Sequence, residues 1–501
     1  MDRWAPLPTV IPLVAAAFSM LAVGSRTVQR LIALAALAAS LVLSVKLLVD
    51  ADREGTLVAR IGGWSASIGI SYVVDRLAGI MLVVAFATLL AVLVFAIGQG
   101  SRASASPVFH PTYLVMASGI SAAFSTGDLF HLFVAFEILL MSSYVLLTLD
   151  GNEQQVRTGT TYVVVNTIES IVLVAAIGLV YAATGTLSMA ELPARLAELS
   201  DGMRTALQLL LLVAFGLKAA VFPLFFWLPD SYPTARSPIT AVFAGLLTKI
   251  GVYAILRTQT LLFADANQTL LLVIAASTMV VGVLGAIAQN EVKRILSFHI
   301  VSQIGYMIMG IAIGGPVAIA ATIFFVVHQI PVKTSLFLVE GMIEQSTGTS
   351  RLDRLSGLAH RSGVLAALFL LPALSLSGIP PFSGFVAKLG MVRAGMDAHH
   401  YAVVAIAIAC SLLTLVSMTK IWLGAFWGEP GTGRAATSNV GAAADLRAAW
   451  RWPWPMLSAT VVLVLGGLAL AVAAGPLYEL CERAAAGAVD VDGYVREVLG
   501  R

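Results

Sequence analysis

Charge and cysteine are what this sequence of 501 residues has least of. Only 11% of it is Asp, Glu, Lys or Arg, against about 25% in an ordinary soluble domain. At the same time 59% is hydrophobic, too much to hide in two or three globular cores, which excludes a water-soluble enzyme. Cys410 and Cys481 are the only cysteines and form no CxxC, which argues against iron–sulfur clusters and structural zinc. The 30 Lys and Arg against 27 Asp and Glu are spread without a basic block, so nucleic acid is not an expected partner. There is no G-x-x-x-x-G-K-[ST] loop, and no G-x-G-x-x-G after a strand. Neither ATP-driven pumping nor redox chemistry is expected within the chain, and no cofactor or metal.

What is present is a series of long apolar runs. A spanning helix needs about 20 mostly apolar residues, and windows of that length give fourteen candidate spans. The fold expected is therefore an all-α polytopic membrane protein in the lipid bilayer. Met189 to Leu199 reads as an interfacial amphipathic helix, and Gly428 to Arg451 as a polar loop. An even number of spans puts both termini on one side; arginine and lysine are commoner in the loops opposite them, which by the positive-inside rule favours termini on the outer face. Two spans are interrupted: the seventh carries Lys218, Pro223 and Pro229, and the twelfth carries Gly378, Pro380 and Pro381 ahead of Lys388. Paired interruptions five spans apart point to an inverted repeat with discontinuous helices. Unwound backbone at membrane depth belongs where it is buried in protein or faces water.

Charges sit where a bilayer disfavours them. Of the seven lysines, Lys46, Lys293 and Lys420 fall near span ends, where a long side chain snorkels. Lys218, Lys249 and Lys333 fall near the middle of spans, Lys388 just past a break, and Glu137 near the centre of the fifth span. Five such charges cost roughly 12–17 kcal/mol on insertion scales. Buried ion pairs that merely glue helices together are one reading, but such pairs stabilise weakly against apolar packing. The other reading is a hydrated proton path, because burial penalises the charged form and brings proton gain and loss within reach. Two charges about 5 Å apart at an effective dielectric near 20 interact by about 3 kcal/mol, so opening or closing a Glu137–Lys218 pair is a switch if the two helices touch.

Other residues carry two readings each. Glu169, one turn from Asn166, either feeds protons toward the axis or belongs to a local hydrogen-bonded cluster. His299, Ser302, Gln303 and Tyr306 form a polar stripe at helical spacing, for interhelical hydrogen bonding or proton wiring. His328 lies five residues before Lys333 with Pro331 between, a spacing that predicts a local helix distortion bringing both to one cavity. No second ligand is spaced for a metal there.

These residues resemble the antiporter-like membrane subunits shared by Mrp-type cation/proton antiporters and the proton-pumping arm of respiratory complex I. FVAFEILLMSSYVLL around Glu137, FGLKAAVFPLFFWLPDSYPTA around Lys218, GLLTKIGVYAILR around Lys249 and GIPPFSGFVAK around Lys388 match the pathway motifs. SFHIVSQIGYMIMGI, HQIPVKTSLFLVEG and the tail PLYELCERAAAGAVDVDGYVREVLG look most like D-type Mrp subunits. Arg236, where a proline is expected, and Glu169 depart from the pattern. The resemblance implies fourteen helices with two inverted five-helix repeats, spans 4–8 and 9–13. It divides the chain into residues 1–106, 107–260, 261–425 and 426–501. It also implies that Glu137 and Lys218 form the charge pair, Lys249 the central relay, His328 and Lys333 the link between halves, and Lys388 the exit. Such a subunit works in the cytoplasmic membrane of a bacterium, in a hetero-oligomer with A-type, C-type and small subunits, where proton influx drives Na⁺, K⁺ or Li⁺ outward. The alternative is a proton-pumping subunit of an NADH or ferredoxin oxidoreductase or a membrane hydrogenase, with redox centres on other chains.

Overall fold

The computed structural model describes residues 3–64, 69–100, 106–264, 266–428 and 452–500. The expected polar loop at 428–451 lies almost wholly outside the described residues. In chain order the elements are α1 (Leu7–Leu21), α2 (Arg26–Glu54), β1 (Leu57–Arg60), β2 (Ser71–Val74), α3 (Arg76–Gln99), α4 (Phe109–Ser125), α5 (Leu129–Leu147), α6 (Glu153–Thr184), α7 (Leu192–Ala197) and α8 (Asp201–Ala219). They continue with α9 (Leu228–Ser231), α10 (Ser237–Val242), α11 (Thr248–Leu261), α12 (Gln268–Ala288), α13 (Val292–Ile313), α14 (Gly315–Thr347), α15 (Leu358–Arg361) and α16 (Gly363–Ser377). The last are α17 (Ser383–Asp397), α18 (Tyr401–Ile421), α19 (Trp454–Val472), α20 (Ala474–Val489) and α21 (Val491–Leu499). β1 and β2 form an antiparallel hairpin with Leu57 opposite Val74.

Eleven helices among the described residues are long and apolar enough to cross a bilayer, and α1 and α16 are apolar but shorter. Each of the fourteen expected spans has a helical counterpart, although not all reach full crossing length. The expected interfacial helix is a six-residue turn, α7, because Pro193 starts it late and Ser200 begins the next helix.

The helices differ in how much of their circumference is covered. In their most apolar windows α10–α11 are 100% buried, α13 94% and α14 83%, whereas α6, α12 and α18 are each 39% buried. A helix enclosed on all sides by protein can hold polar groups that lipid would reject, and the enclosed helices carry Lys249, His299, His328 and Lys333.

Both expected interruptions are present. α8 ends at Ala219, followed by Ala220 at φ 59°, and the chain is irregular until α9. α16 ends at Ser377, Gly378 takes φ 80°, and α17 resumes at Ser383. The left-handed backbone at Gly378 favours glycine, and a Cβ there would stand 2.7 Å from Lys388 Cδ. Pro331, by contrast, does not break its helix: α14 runs unbroken for 33 residues.

One turn occurs twice. After α6, Thr184 Oγ1 donates to Val180 O (2.7 Å) and accepts from Thr186 N (3.4 Å), and Ser188 N donates to Thr186 Oγ1 (3.2 Å). After α14, Thr347 Oγ1 donates to Ile343 O (2.8 Å) and accepts from Thr349 N (3.4 Å), and Arg351 N donates to Thr349 Oγ1 (3.2 Å). The first turn bridges to Asp128 before α5, the second to Glu291 before α13. Five candidate spans lie between the two turns.

Candidate functional site

The candidate site is a set of buried amines on α8, α11, α14 and α17. Lys218 stands in the last turn of α8, where a cation meets the negative end of the helix dipole. Its Nζ lies 3.6 Å from Glu169 Oε2 on α6, with both side chains at most 3% exposed. Neither this amine nor either Glu169 oxygen has a hydrogen-bond partner among the described residues. Lys218 also lies over the Phe136 ring, 5.5 Å from its centroid.

The expected Glu137–Lys218 pair is not the ion pair found. Glu137, on α5 and only half-buried, accepts a hydrogen bond from Ser170 of α6, and Glu169 reaches the amine instead. Helix rotation explains the exchange: Glu169 and Ser170 are adjacent on α6, so one points inward to α8 and the other toward α5. Glu137 remains within electrostatic reach of both Glu169 and Lys218, so the three form one cluster.

Lys249 opens α11 behind a π-helical turn, Phe243–Leu247, a distortion frequent at functional sites. Its Nζ donates to Ala244 O at 2.5 Å and lies 3.5 Å from Thr248 Oγ1. Gly251, two residues on, allows α11 to touch α8 beside Lys218: a Cβ there would stand 2.5 Å from Ala219 N and 3.0 Å from the Lys218 carbonyl carbon.

Lys333 is fully buried in α14, with Nζ 3.4 Å from Leu296 O of α13, within electrostatic reach of Lys249 and Lys388. His328, also on α14, shares a 2.9 Å hydrogen bond between Nδ1 and Ser383 Oγ at the start of α17. Lys388 Nζ donates to Leu376 O (3.0 Å), Ser377 O (3.2 Å) and Ser411 Oγ (2.9 Å). Those carbonyls are free because α16 stops there, so the break at Gly378, Pro380 and Pro381 supplies the acceptors for this lysine. The break holding Pro223 acts differently: its Phe222 N–H donates to Thr278 Oγ1 of α12 at 3.0 Å.

The α13 stripe makes interhelical bonds. His299 Nε2 meets Ser417 Oγ at 2.9 Å, Ser302 Oγ donates to Met279 O at 3.1 Å, Gln303 Oε1 accepts from Gln329 at 3.2 Å, and Tyr306 OH donates to Ala407 O at 2.5 Å. The Tyr306 ring lies 5.3 Å from Lys388 Nζ, and His299 is within electrostatic reach of Lys333 and Lys388.

Lys293 differs from its expected place. It does not snorkel but is buried, with Nζ 2.6 Å from Glu344 Oε2 and 3.9 Å from Glu340 Oε2, both on α14. Sequence reasoning missed this group, although Glu340 stands seven residues after Lys333, a spacing that shares a helix face. It missed too the bidentate pair of Arg257 with Asp75, at 2.6 and 2.9 Å. Arg236 binds Asp150 in the same two-pronged way, at 2.5 and 2.7 Å.

The model of the NADH:quinone oxidoreductase/Mrp antiporter transmembrane family matches residues 126–414. The chain is 39% identical over 504 residues to the D subunit of the Na⁺/H⁺ antiporter of Alkalihalophilus pseudofirmus, covering 100% of both. Among solved structures, it is similar to a chain of the Mrp complex from Dietzia sp. DQ12-45-1b, with TM-score 0.92, 34% identity and 100% of both chains covered. A chain of respiratory complex I from Thermus thermophilus shares the fold, with TM-score 0.82, 23% identity, and 97% and 99% of the two chains covered.

Proposed function

The chain belongs to the NADH:quinone oxidoreductase/Mrp antiporter family of membrane subunits, and from that premise we propose that it is the proton-translocating D-type subunit of a multisubunit cation/proton antiporter. Full-length identity to a protein named as the D subunit of a Na⁺/H⁺ antiporter supports this over the oxidoreductase alternative. So does the higher identity to the Mrp chain, 34% against 23%.

The observation that carries the proton role is the Lys218–Glu169 pair: two buried opposite charges 3.6 Å apart, neither hydrogen-bonded among the described residues. A structural pair is locked by further hydrogen bonds that offset desolvation; this one has only its own contact among the described residues. Closed, Glu169 holds the proton on Lys218. Opened, the ammonium loses its counter-charge and passes the proton to Lys249, across the α8–α11 contact at Gly251. Lys333 receives it within the enclosed helices, His328 and Ser383 relay it toward the twelfth-span break, and Lys388 releases it. Glu137, half-buried beside Glu169, biases the pair from the α5 side. Proton influx through this row drives Na⁺, K⁺ or Li⁺ outward in a complex with other membrane subunits. The two five-helix repeats, residues 107–260 and 261–425, each contribute one broken helix.

The cytoplasmic membrane is the site, with both termini outside. The loop arginines favour that orientation. Contacts of α20 and α21 with the end of α2 and with the hairpin, such as Arg483–Asp52 at 2.9 Å and Arg60 to Val498 O at 2.9 Å, support a C-terminus on the face where the chain begins.

The test is Na⁺-induced dissipation of a pH gradient in everted vesicles from an antiporter-deficient host producing the whole complex. Lys249→Ala is expected to abolish exchange while the complex still assembles. Exchange near the unmodified rate would remove the row from the mechanism.

A further inference from the structure

Two buried histidines, not one, stand by the gap between Lys333 and Lys388. His328 on α14 is within electrostatic reach of both amines, and so is His299 on α13. Both residues are 0% exposed. The pathway above uses only His328.

His299 is bonded at one nitrogen and open at the other. Nε2 meets Ser417 Oγ of α18 at 2.9 Å, while Nδ1 has no hydrogen-bond partner among the described residues. An imidazole held in this way can take a proton at one nitrogen and give one up at the other. On the Lys333 side the connection follows α13 itself: Lys333 Nζ lies 3.4 Å from Leu296 O, and Leu296 is three residues before His299, a neighbouring position on the helix surface.

On the Lys388 side the connection follows α18. Ser411, Thr414 and Ser417 recur at every third residue, which sets successive Cβ atoms about 5–6 Å apart. Ser417 and Thr414 are both 0% exposed. Ser411 Oγ ends the line as an acceptor for Lys388 Nζ at 2.9 Å. Thr414 Oγ1 donates to Cys410 O at 2.8 Å, which leaves its lone pairs open to accept. A hydroxyl both gives and receives a proton, and a single water bridges a step too long for a direct bond. An unbroken series of protonatable and hydroxyl groups thus joins the two lysines along α13 and α18, apart from the α14–α17 contact of His328 with Ser383.

The recurring turn gives an internal comparison. The register that matches Asp128 with Glu291 and Ser188 with Arg351 matches His299 with Phe136, which is likewise 0% exposed. An apolar ring fills that place in the other half, so packing alone does not call for histidine there. Burying an imidazole with one nitrogen unbonded costs stability.

We propose that His299, with Ser417, Thr414 and Ser411, forms a second proton relay from Lys333 to Lys388, parallel to the one through His328 and Ser383. The inference rests on the proton-row reading above.

The experiment measures Na⁺-induced dissipation of a pH gradient in everted vesicles holding the whole complex. With two routes in parallel, closing one leaves the other: His299→Gln and His328→Gln are each expected to lower exchange by no more than about threefold. Independent losses would multiply to about ninefold at most, whereas closing both routes is expected to lower exchange at least thirtyfold. Ser417→Ala is expected to reproduce His299→Gln, with a small loss alone and a large one beside His328→Gln. Thermal unfolding of the solubilised double variant is expected to shift by no more than the sum of the single shifts, which separates a blocked relay from a damaged fold. Lys333→Ala is run alongside. If it abolishes exchange while the double variant exchanges as fast as His328→Gln alone, the second relay is overturned and the row stands. If either histidine variant alone abolishes exchange, the routes are not parallel and the proposal is overturned. If Lys333→Ala retains exchange, both readings fall. If His299→Gln fails to assemble, Ser417→Ala decides: no added loss beside His328→Gln overturns the proposal.

Discussion

Replacing Glu169 by glutamine removes the anion nearest Lys218 while keeping the size and shape of the side chain. At 3.6 Å and an effective dielectric near 20, the attraction lost is about 5 kcal/mol. Removing one partner of a buried pair typically costs about 3–5 kcal/mol, because the other charge is left uncompensated. Lys218 has no hydrogen bond among the described residues to fall back on, and Glu137 lies beyond ion-pair distance. Relaxation absorbs part of the loss; if only half remains in the transport step, the rate falls about a hundredfold. Two assays separate the pair's roles. Vesicle exchange is expected to drop at least that far in Glu169→Gln, and thermal unfolding of the solubilised complex to shift downward. Adding Lys218→Met to Glu169→Gln removes the stranded charge, so stability is expected to recover while exchange stays absent. Glu169→Gln exchanging within threefold of the unmodified complex, while Glu137→Gln is inactive, would refute the reasoning and make Glu137 the working anion.

Three further outcomes follow from the geometry. Gly378→Ala forces a side chain into left-handed backbone, at about 1–2 kcal/mol, and against Lys388; at least a tenfold loss of exchange is expected in the vesicle assay, and full activity would remove the break from the exit. Burial alone would raise the Asp75 carboxyl, but the Arg257 guanidinium and the Ala78 N–H outweigh it and hold it below the ordinary 3.8. Its contribution to stability is therefore complete above about pH 4 and lost as pH falls through the lowered value; melting scans of Asp75→Asn are expected to show a lower plateau from pH 5 to 9 and a weaker acid limb. Lys46 pairs at the surface with Asp50 one turn away, an interaction worth at most about 0.5 kcal/mol, so Lys46→Ala should change exchange less than twofold.

The row of lysines was legible because a charge in an apolar run is a contrast that composition alone reveals. The broken helices were legible because proline and glycine act on their own backbone. The partner of Lys218 was not, since adjacent residues on α6 face different neighbours and only the rotation of the packed helix decides between Glu169 and Glu137's neighbour Ser170. Lys293 shows a related limit: position near a span end suggested snorkelling, but α14 extends far enough to cover it and supply two carboxylates. Pro331 lies inside α14 without ending it. The π-helical turn before Lys249 has no signal in single residues. The threonine-glycine-threonine recurrence, in contrast, stands in the sequence 163 positions apart and becomes meaningful once its hydrogen bonds are seen to match.

The contacts of α21 bear on how the protein is made. Thr56 N waits for Glu497, 441 residues away, and the Arg60 guanidinium for the carbonyls of Val498 and Leu499. At about 5–20 residues per second a ribosome needs roughly 20–90 s to synthesise the chain between them. Until then the hairpin beside α2 lacks its final partners, however well the spans have inserted. A chain truncated by a dozen residues would thus keep every charge of the conduction row and still present an unlatched face. Cellular surveillance of membrane proteins could read that face as the mark of an unfinished product.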